Sequence, residues 1–411
     1  MSKPDRNADE DHGGRASGPT RVRVLVVDDS ALMRRLLCDL LRSSPEIEVA
    51  GTARDGREAV LQAVRLKPDV ITLDVEMPEV TGLEALPLLL AAHEAPVIMV
   101  SALTQEGADV TLQALELGAV DFMPKPERNQ LAEMRASSDL LVAKVLTAAQ
   151  SRVRRIRRTT SPSTSTGSSP TTRSGKVAIT RSSPPRPRPA TAERPDKPAE
   201  PSTTNPSTSP FSRICLVIGI STGGPQALSH ILPLLTAPMP PILVVQHMIA
   251  QFTGVFANRL DHSCSLTIKE AAEGDLVLPN QVLIAPGGRH MMVAGNLPRA
   301  RIGLCDDAPV SGHKPSVDVL FQSAAKVYQA GVVGIIMTGM GRDGVNGCKT
   351  ILAAGGFTLG QDEATSVVYG MNKAAFVAGA LKAQFALDDL PGILKNLIPF
   401  RDEVEGRKPE P

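Results

Sequence analysis

The sequence predicts an α/β protein built from two doubly wound parallel sheets, and three observations carry that expectation. Two stretches, Arg21 to about Thr147 and Arg213 to roughly Pro399, alternate short apolar runs with amphipathic segments, the rhythm of repeated βα units. Between them, residues 151–210 hold eleven prolines, long Ser/Thr runs and no leucine. Such a segment cannot bury enough apolar surface to offset its chain entropy, so it reads as a disordered linker. Finally, 411 residues give room for two or three domains, each large enough for its own core.

In order, the chain divides into a disordered lead (1–20), a first domain (21–147), a basic Pro/Ser/Thr-rich linker (148–210), a second domain (211–399) and a polar tail (400–411). In the first domain the expected strands are Val22–Val27, Ile47–Ala53, Val70–Leu73, Val97–Val100 and Ala119–Met123. Amphipathic segments such as Ala31–Arg42, Arg57–Leu66 and Asp109–Leu117 separate them. In the second domain the expected strands are Ile214–Ile220, Ile242–Gln246, Val282–Ala285, Val332–Thr338 and Phe357–Gly360. The expected helices there are Gln226–Leu235, Thr253–Asp261, Val317–Ala330 and Val345–Ala354.

Composition narrows the function classes. A net charge of +1 argues against a bulk polyanion partner, and with no Trp and two Tyr the chain offers little for stacking on single-stranded nucleic acid. No run of eighteen apolar residues exists, so no membrane insertion is expected. Five cysteines without a CxxC pair fit reduced thiols in a cytoplasmic monomer and give no zinc site. The cluster Arg152 to Arg158 reads as a solvated basic end to the preceding helix, with anionic lipid or nucleic acid as its alternative.

In a parallel sheet the functional edge lies outside the carboxyl ends of the strands. In the first domain those ends carry Asp28 and Asp29, then Asp74, then Ser101, then Lys125. Three carboxylates with few other ligands suit a hydrated Mg²⁺, and an aspartate can itself accept a phosphoryl group. A lysine would neutralise the added charge and a hydroxyl could follow it. Taken singly, Asp28-Asp29-Ser30 could only cap a helix and Lys125 could be surface charge.

In the second domain, Gly219-Ile220-Ser221-Thr222-Gly223-Gly224-Pro225 joins an apolar strand to a helix and sets a serine at the turn. That stretch alone is equally a nucleophile elbow, an N-capping serine or a phosphate cradle. A nucleophile needs a base and an acid to orient it. His247 ends the next strand and Asp343 follows the strand Val332–Ile336, so all three sit at strand ends on one sheet edge. Asp343 could alternatively cap the helix that follows it. His230 and His262 fall within expected helices, while His290 and His313 stay as reserve bases.

These motifs carry a resemblance. Val26-Val27-Asp28-Asp29-Ser30, Leu73-Asp74-Val75-Glu76-Met77-Pro78 and Phe122-Met123-Pro124-Lys125-Pro126 resemble response-regulator receiver domains. Gly219 to Gly224, Gln246-His247-Met248, His313-Lys314-Pro315-Ser316-Val317-Asp318 and Thr338 to Gly344 resemble the chemotaxis protein-glutamate methylesterase family, CheB. The resemblance implies a flavodoxin-like receiver and a Rossmann-like methylesterase domain. It implies Asp74 as phosphoacceptor, Asp28, Asp29 and Asp74 around Mg²⁺, and Ser101 and Lys125 as phosphate sensors. In the second domain it implies Ser221 as nucleophile, His247 as base and Asp343 as orienting acid, with no cofactor. Thr222 and Met340 would lie beside the centre, their backbone N–H groups facing the oxyanion. Implied partners are a chemotaxis histidine kinase as phosphodonor and methyl-accepting chemoreceptors as substrate, through glutamyl methyl esters and some glutamines. Thr81-Gly82 departs from the receiver pattern, where Asp-Gly is usual, and the linker is longer and more basic than the family leads one to expect. A non-enzymatic regulator and a hydrolase of small esters remain the rival readings.

Overall fold

The computed structural model describes residues 21–102, 104–126, 131–151, 211 and 213–397. The expected lead (1–20), nearly all of the expected linker and the expected tail lie outside the described residues.

The first domain is a five-stranded parallel sheet. Its strands are β1 (Val22–Val27), β2 (Ile47–Ala53), β3 (Val70–Asp74), β4 (Val97–Ser101) and β5 (Asp121–Pro124), in the order β2-β1-β3-β4-β5. Strands β3 and β4 are buried along their whole length, which is why they read as unbroken apolar runs without alternation. Helices α1 (Ala31–Arg42), α2 (Gly56–Leu66), α3 (Gly82–Ala92), α4 (Gln105–Leu117) and α5 (Leu131–Ala149) connect or flank them. Each of the first three starts on a side-chain cap, from Ser30, Asp55 and Thr81. Thr81 forms a capping box with Glu84, so the departure at Thr81-Gly82 keeps the helix start. Gly82 passes close to the strand end: a Cβ there would sit 1.9 Å from the Asp74 carbonyl oxygen. Helix α5 continues to Ala149, two residues into the stretch read from sequence as linker.

The second domain is a seven-stranded parallel sheet in the order β14-β13-β12-β6-β7-β9-β8. Its central strands are β6 (Cys215–Ile220), β7 (Ile242–Gln246), β9 (Gln281–Ile284), β12 (Val332–Ile336) and β13 (Phe357–Gln361), all expected from sequence. The edge strands β8 (Thr267–Glu270) and β14 (Ala383–Phe385) were not expected. Neither was the antiparallel hairpin of β10 (His290–Ala294) and β11 (Arg301–Cys305). The helices are α6 (Gly224–Ile231), α7 (Ala250–Ser263), α8 (Val317–Tyr328), α9 (Val345–Ala353), α10 (Met371–Val377) and α11 (Leu390–Lys395). Strand β6 pairs with β7 on one side and β12 on the other. The chain therefore reverses direction across the sheet at β6, where a doubly wound fold opens its crevice.

The two domains pack through α4 and β5 of the first against α6 and α7 of the second, and through α5 against the loop after β12. The Phe122 and Phe252 rings stack with centroids 4.4 Å apart, and Lys144 lies over the Phe122 ring. Gln226 donates its side-chain amide to the carbonyls of Leu115 and Ala119. Arg259 grips Glu116 through two contacts of 2.6 Å. One apolar cluster runs without a break from Leu112, Leu115 and Phe122 to Phe252 and Phe256. No helix of the described residues is long and apolar enough to cross a membrane.

Candidate active site

Ser221 leaves β6 into a turn held at both ends. Its N–H donates to Thr338 O at 2.9 Å and its carbonyl accepts Gly224 N–H at 2.7 Å. Gly223 has φ +77, the left-handed region that glycine enters without steric cost, and α6 starts on the next residue with Pro225 in its first turn. Gly339 presses on the serine from the loop after β12, where a Cβ would meet Ser221 Cβ at 2.6 Å. Replacing Gly339 by Ala must therefore displace the Ser221 side chain or its own loop. The expected outcome is a reaction rate at Ser221 about a hundredfold lower, with the protein still folded by circular dichroism.

His247 follows β7 and Asp343 follows the loop after β12. His247 Nε2 lies 2.9 Å from Asp343 Oδ2. Because a carboxylate only accepts, Nε2 of the neutral ring carries the proton and Nδ1 keeps its lone pair. Nδ1 is buried and has no hydrogen-bond partner, so the one free basic atom of the ring is withheld from every other group. No bond joins it to Ser221 Oγ in this structure, a common condition before substrate binds.

Asp343 is fully buried, yet it does not cap the helix that follows it, α9, which starts from Gly344 without a side-chain cap. It caps α8 instead. Oδ1 accepts the Ser316 hydroxyl at 2.8 Å and Asp318 N–H at 3.0 Å, and Oδ2 accepts Val317 N–H at 2.7 Å. The positive end of the α8 dipole thus faces the carboxylate. Burial alone would push the carboxyl up, but the His247 bond and charge and the α8 N–H groups outweigh it and hold Asp343 below its ordinary value.

The other histidines separate clearly. His290 has both ring nitrogens engaged, one with Ala308 O and the other with Ser316 N–H. His230 pairs with Asp388 on the surface, and His262 bonds back to Asn258 O in its own helix. His313 stacks on His247 with centroids 3.9 Å apart and planes 11° from parallel. Burial, then the neighbouring His247, lowers its pKa from the ordinary value. His247, His313 and Asp343 bring nitrogen and oxygen atoms within 4.8 Å of one another. Parallel rings aim their in-plane lone pairs side by side, and the Asp343 oxygens are already taken, so this cluster does not form a chelate.

Thr222 and Met340 flank the serine. Neither backbone N–H donates to an acceptor among the described residues. Their side chains instead meet the first domain: Thr222 Oγ1 donates to Asp121 Oδ2 at 2.7 Å, and the Thr147 hydroxyl lies against Met340 Sδ. Asp121 also pairs with Lys144 at 2.7 Å. Sequence reasoning missed these contacts, and it missed Gln246, whose Nε2 lies within bonding distance of both Ser221 O and His247 O. That buried amide ties the serine turn to the histidine turn. The signal was a single polar residue closing an otherwise apolar buried strand.

The second cluster of candidates lies on the first domain's sheet edge. Asp28 and Asp74 are buried, and Lys125 Nζ lies 2.8 Å from Asp74 Oδ2 and 3.5 Å from Asp28 Oδ2. Burial pushes the Asp74 carboxyl up to about 6 and raises Asp28 as well, with Lys125 opposing in both cases. Asp28, Asp29 and Asp74 offer oxygens within 4.8 Å of one another, and Asp28 Oδ2 is buried without a hydrogen-bond partner. Three hard oxygens, one of them held only by the long ion pair to Lys125, fit a magnesium ion. Ser101 closes β4 on the same edge, as expected. Its hydroxyl donates to the carbonyls of Ala102 and of Gly107 in the first turn of α4.

The acidic edge with its lysine lies on one sheet and the serine, histidine and aspartate lie on the next, and the two halves of the chain match two families. Residues 24–136 match the response regulator receiver domain family and residues 216–394 match the CheB methylesterase family. A Koribacter versatilis protein named protein-glutamate methylesterase/protein-glutamine glutaminase 2 is 43% identical over 91% of this chain and 96% of its own. A Treponema denticola protein of the same activity name is 43% identical over 90% and 96%. The Thermotoga maritima CheB methylesterase catalytic domain is 36% identical in a superposition covering 45% of this chain and 98% of that one, with a TM-score of 0.44. The chain belongs to the protein-glutamate methylesterase/protein-glutamine glutaminase family.

Proposed function

We propose that the chain removes methyl groups from glutamyl esters of chemoreceptor proteins, and ammonia from some of their glutamines, under control of its receiver. The observation that carries the catalytic reading is the His247–Asp343 bond. It fixes the protonated nitrogen on the acid side and leaves buried Nδ1 free, on a residue whose backbone Gln246 ties to the Ser221 turn. Ser221 Oγ attacks the ester carbonyl carbon and gives its proton to Nδ1. The oxyanion so formed takes the unpaired N–H groups of Thr222 and Met340. On collapse, methoxide leaves and takes that proton as methanol, or ammonia leaves from a glutamine. Water, deprotonated by the same nitrogen, then frees the glutamate and restores Ser221. The relatives' name, protein-glutamate methylesterase/protein-glutamine glutaminase, favours this reading over small esters, and its test is turnover of a methyl-esterified receptor beside a small chromogenic ester.

Control runs through Asp74. A histidine kinase of the chemotaxis pathway supplies the phosphoryl group to an Asp74 carboxylate oxygen. Asp28, Asp29 and Asp74 would hold the Mg²⁺ that receivers use, which when bound offsets the oxygen charge around the transferred group. Lys125 then exchanges its bond to the carboxylate for one to the phosphoryl oxygens, and the Ser101 hydroxyl turns from Gly107 toward them. In the packed arrangement Asp121 and Thr147 of the receiver touch Thr222 and Met340, on either side of Ser221. That cover holds the enzyme down until phosphorylation loosens it. Moving such a masked enzyme from ~1% to ~99% open needs ~5.5 kcal/mol, and partial activation needs less. A small phosphodonor with magnesium is expected to label the chain once, and Asp74→Asn to abolish the label. Label persisting in that variant would assign the acceptor elsewhere.

A further inference from the structure

We infer that the surface running from Ser221 along α10 docks an acidic, partly apolar segment of the protein substrate, held by Arg342 and Lys373. This rests on the glutamyl-ester reading above and adds the binding strip it leaves open. The loop that presses on Ser221 also seats α10: Gly339 O accepts Met371 N–H at 2.8 Å, and a Cβ on Gly370 would lie 2.5 Å from Gly339 O. At 1.5 Å per residue, Phe376 and Val377 stand roughly 8–9 Å further along the helix axis. Three large apolar side chains of this loop and helix are open to solvent, with Met340 42%, Phe376 54% and Val377 77% exposed.

Arg342, Gly370, Lys373, Ala374, Val377 and Ala378 line one shallow depression. Arg342 and Lys373 are exposed, and neither side chain joins a hydrogen bond or ion pair among the described residues. The acids Asp139 and Glu363 line the adjoining cleft with Met340, Gly370 and Lys373, and neither acid borders the depression that Arg342 lines. Two unpaired cations over an apolar floor complement a segment that is apolar on one side and carboxylate-bearing on the other. A substrate bearing several glutamyl esters becomes such a segment as it is processed, because each turnover leaves a carboxylate behind. Arg342, Lys373, Phe376 and Val377 are exposed while the receiver is packed on, so the segment can dock before the receiver lifts.

The test uses the full chain with phosphodonor and two substrates: a methyl-esterified glutamyl peptide carrying flanking free glutamates, and a small chromogenic ester. For Lys373→Glu combined with Arg342→Gln, the ratio of kcat/KM on the peptide to kcat/KM on the small ester is expected to fall about tenfold. The loss should appear in KM, and the wild-type KM should rise with salt more steeply than the variant's. Val377→Asp should lower the same ratio. An unchanged ratio would overturn the proposal. So would a concentration-dependent dimer of the wild type that Val377→Asp dissolves, since the patch would then join two copies of this chain. If the wild type turns over the small ester but no glutamyl peptide, the glutamyl-ester reading falls first, and the docking strip falls with it.

Discussion

Ser221→Ala and His247→Ala are expected to lower glutamyl-ester hydrolysis on the order of 10⁴- to 10⁶-fold, because each removes a partner of one unit and the remaining machinery cannot act alone. Thermal unfolding should barely move. That holds for Ser221, which is held through its backbone, whereas His247→Ala strips the buried Asp343 carboxylate of one partner and should lower the melt modestly. Asp343→Asn should behave differently. The carboxylate accepts from His247, Ser316, Val317 and Asp318, and an amide in its place turns an NH₂ toward donors. Each orphaned donor costs about 1–3 kcal/mol, so this variant should lose stability as well as rate. Circular-dichroism melts beside steady-state kinetics separate the two effects.

Freeing the catalytic edge from the receiver is expected to raise basal hydrolysis at least tenfold in the absence of phosphodonor. The docked state rests on few groups: an aromatic stack worth about 1 kcal/mol and a part-exposed bidentate ion pair worth up to about 1 kcal/mol, beside the Gln226 and Thr222 bonds. Phe122→Ala with Arg259→Glu removes the stack and sets two acids face to face at Glu116. A loss of about 2 kcal/mol raises a minor open fraction roughly thirtyfold while the closed form still dominates. The variant and a 211–411 fragment should therefore both exceed the unphosphorylated full chain in a small-ester assay. A receiver that only recruits the enzyme to substrate would leave the fragment equal or slower.

What the sequence made legible follows from which interactions are local. Strands β3, β4, β6 and β7 are buried on both faces, so their apolar runs stand out. Strand β8 is four residues with one fully buried, and β14 is three with one, and neither shows a period. Ser221, His247 and Asp343 were visible because each is a polar residue following an apolar run, and strand ends share an edge. The partners of Asp343 were not, since they are backbone N–H groups and a hydroxyl about 26 residues away that α8 carries to the site. The Thr222–Asp121 contact joins residues 101 apart and has no pattern at all. Ser101 was legible in place but not in orientation, because a hydroxyl rotor chooses among nearby carbonyls.

The most direct measurement is labelling of the full chain by a serine-reactive phosphonate, followed by peptide mass spectrometry and timed with and without phosphodonor. The expected result is one adduct, on Ser221, formed slowly in the resting chain, faster after phosphorylation of Asp74, and absent from His247→Ala. An adduct on another serine, or a Ser221 adduct whose rate ignores both His247 and phosphorylation, would contradict a masked Ser221–His247–Asp343 hydrolase.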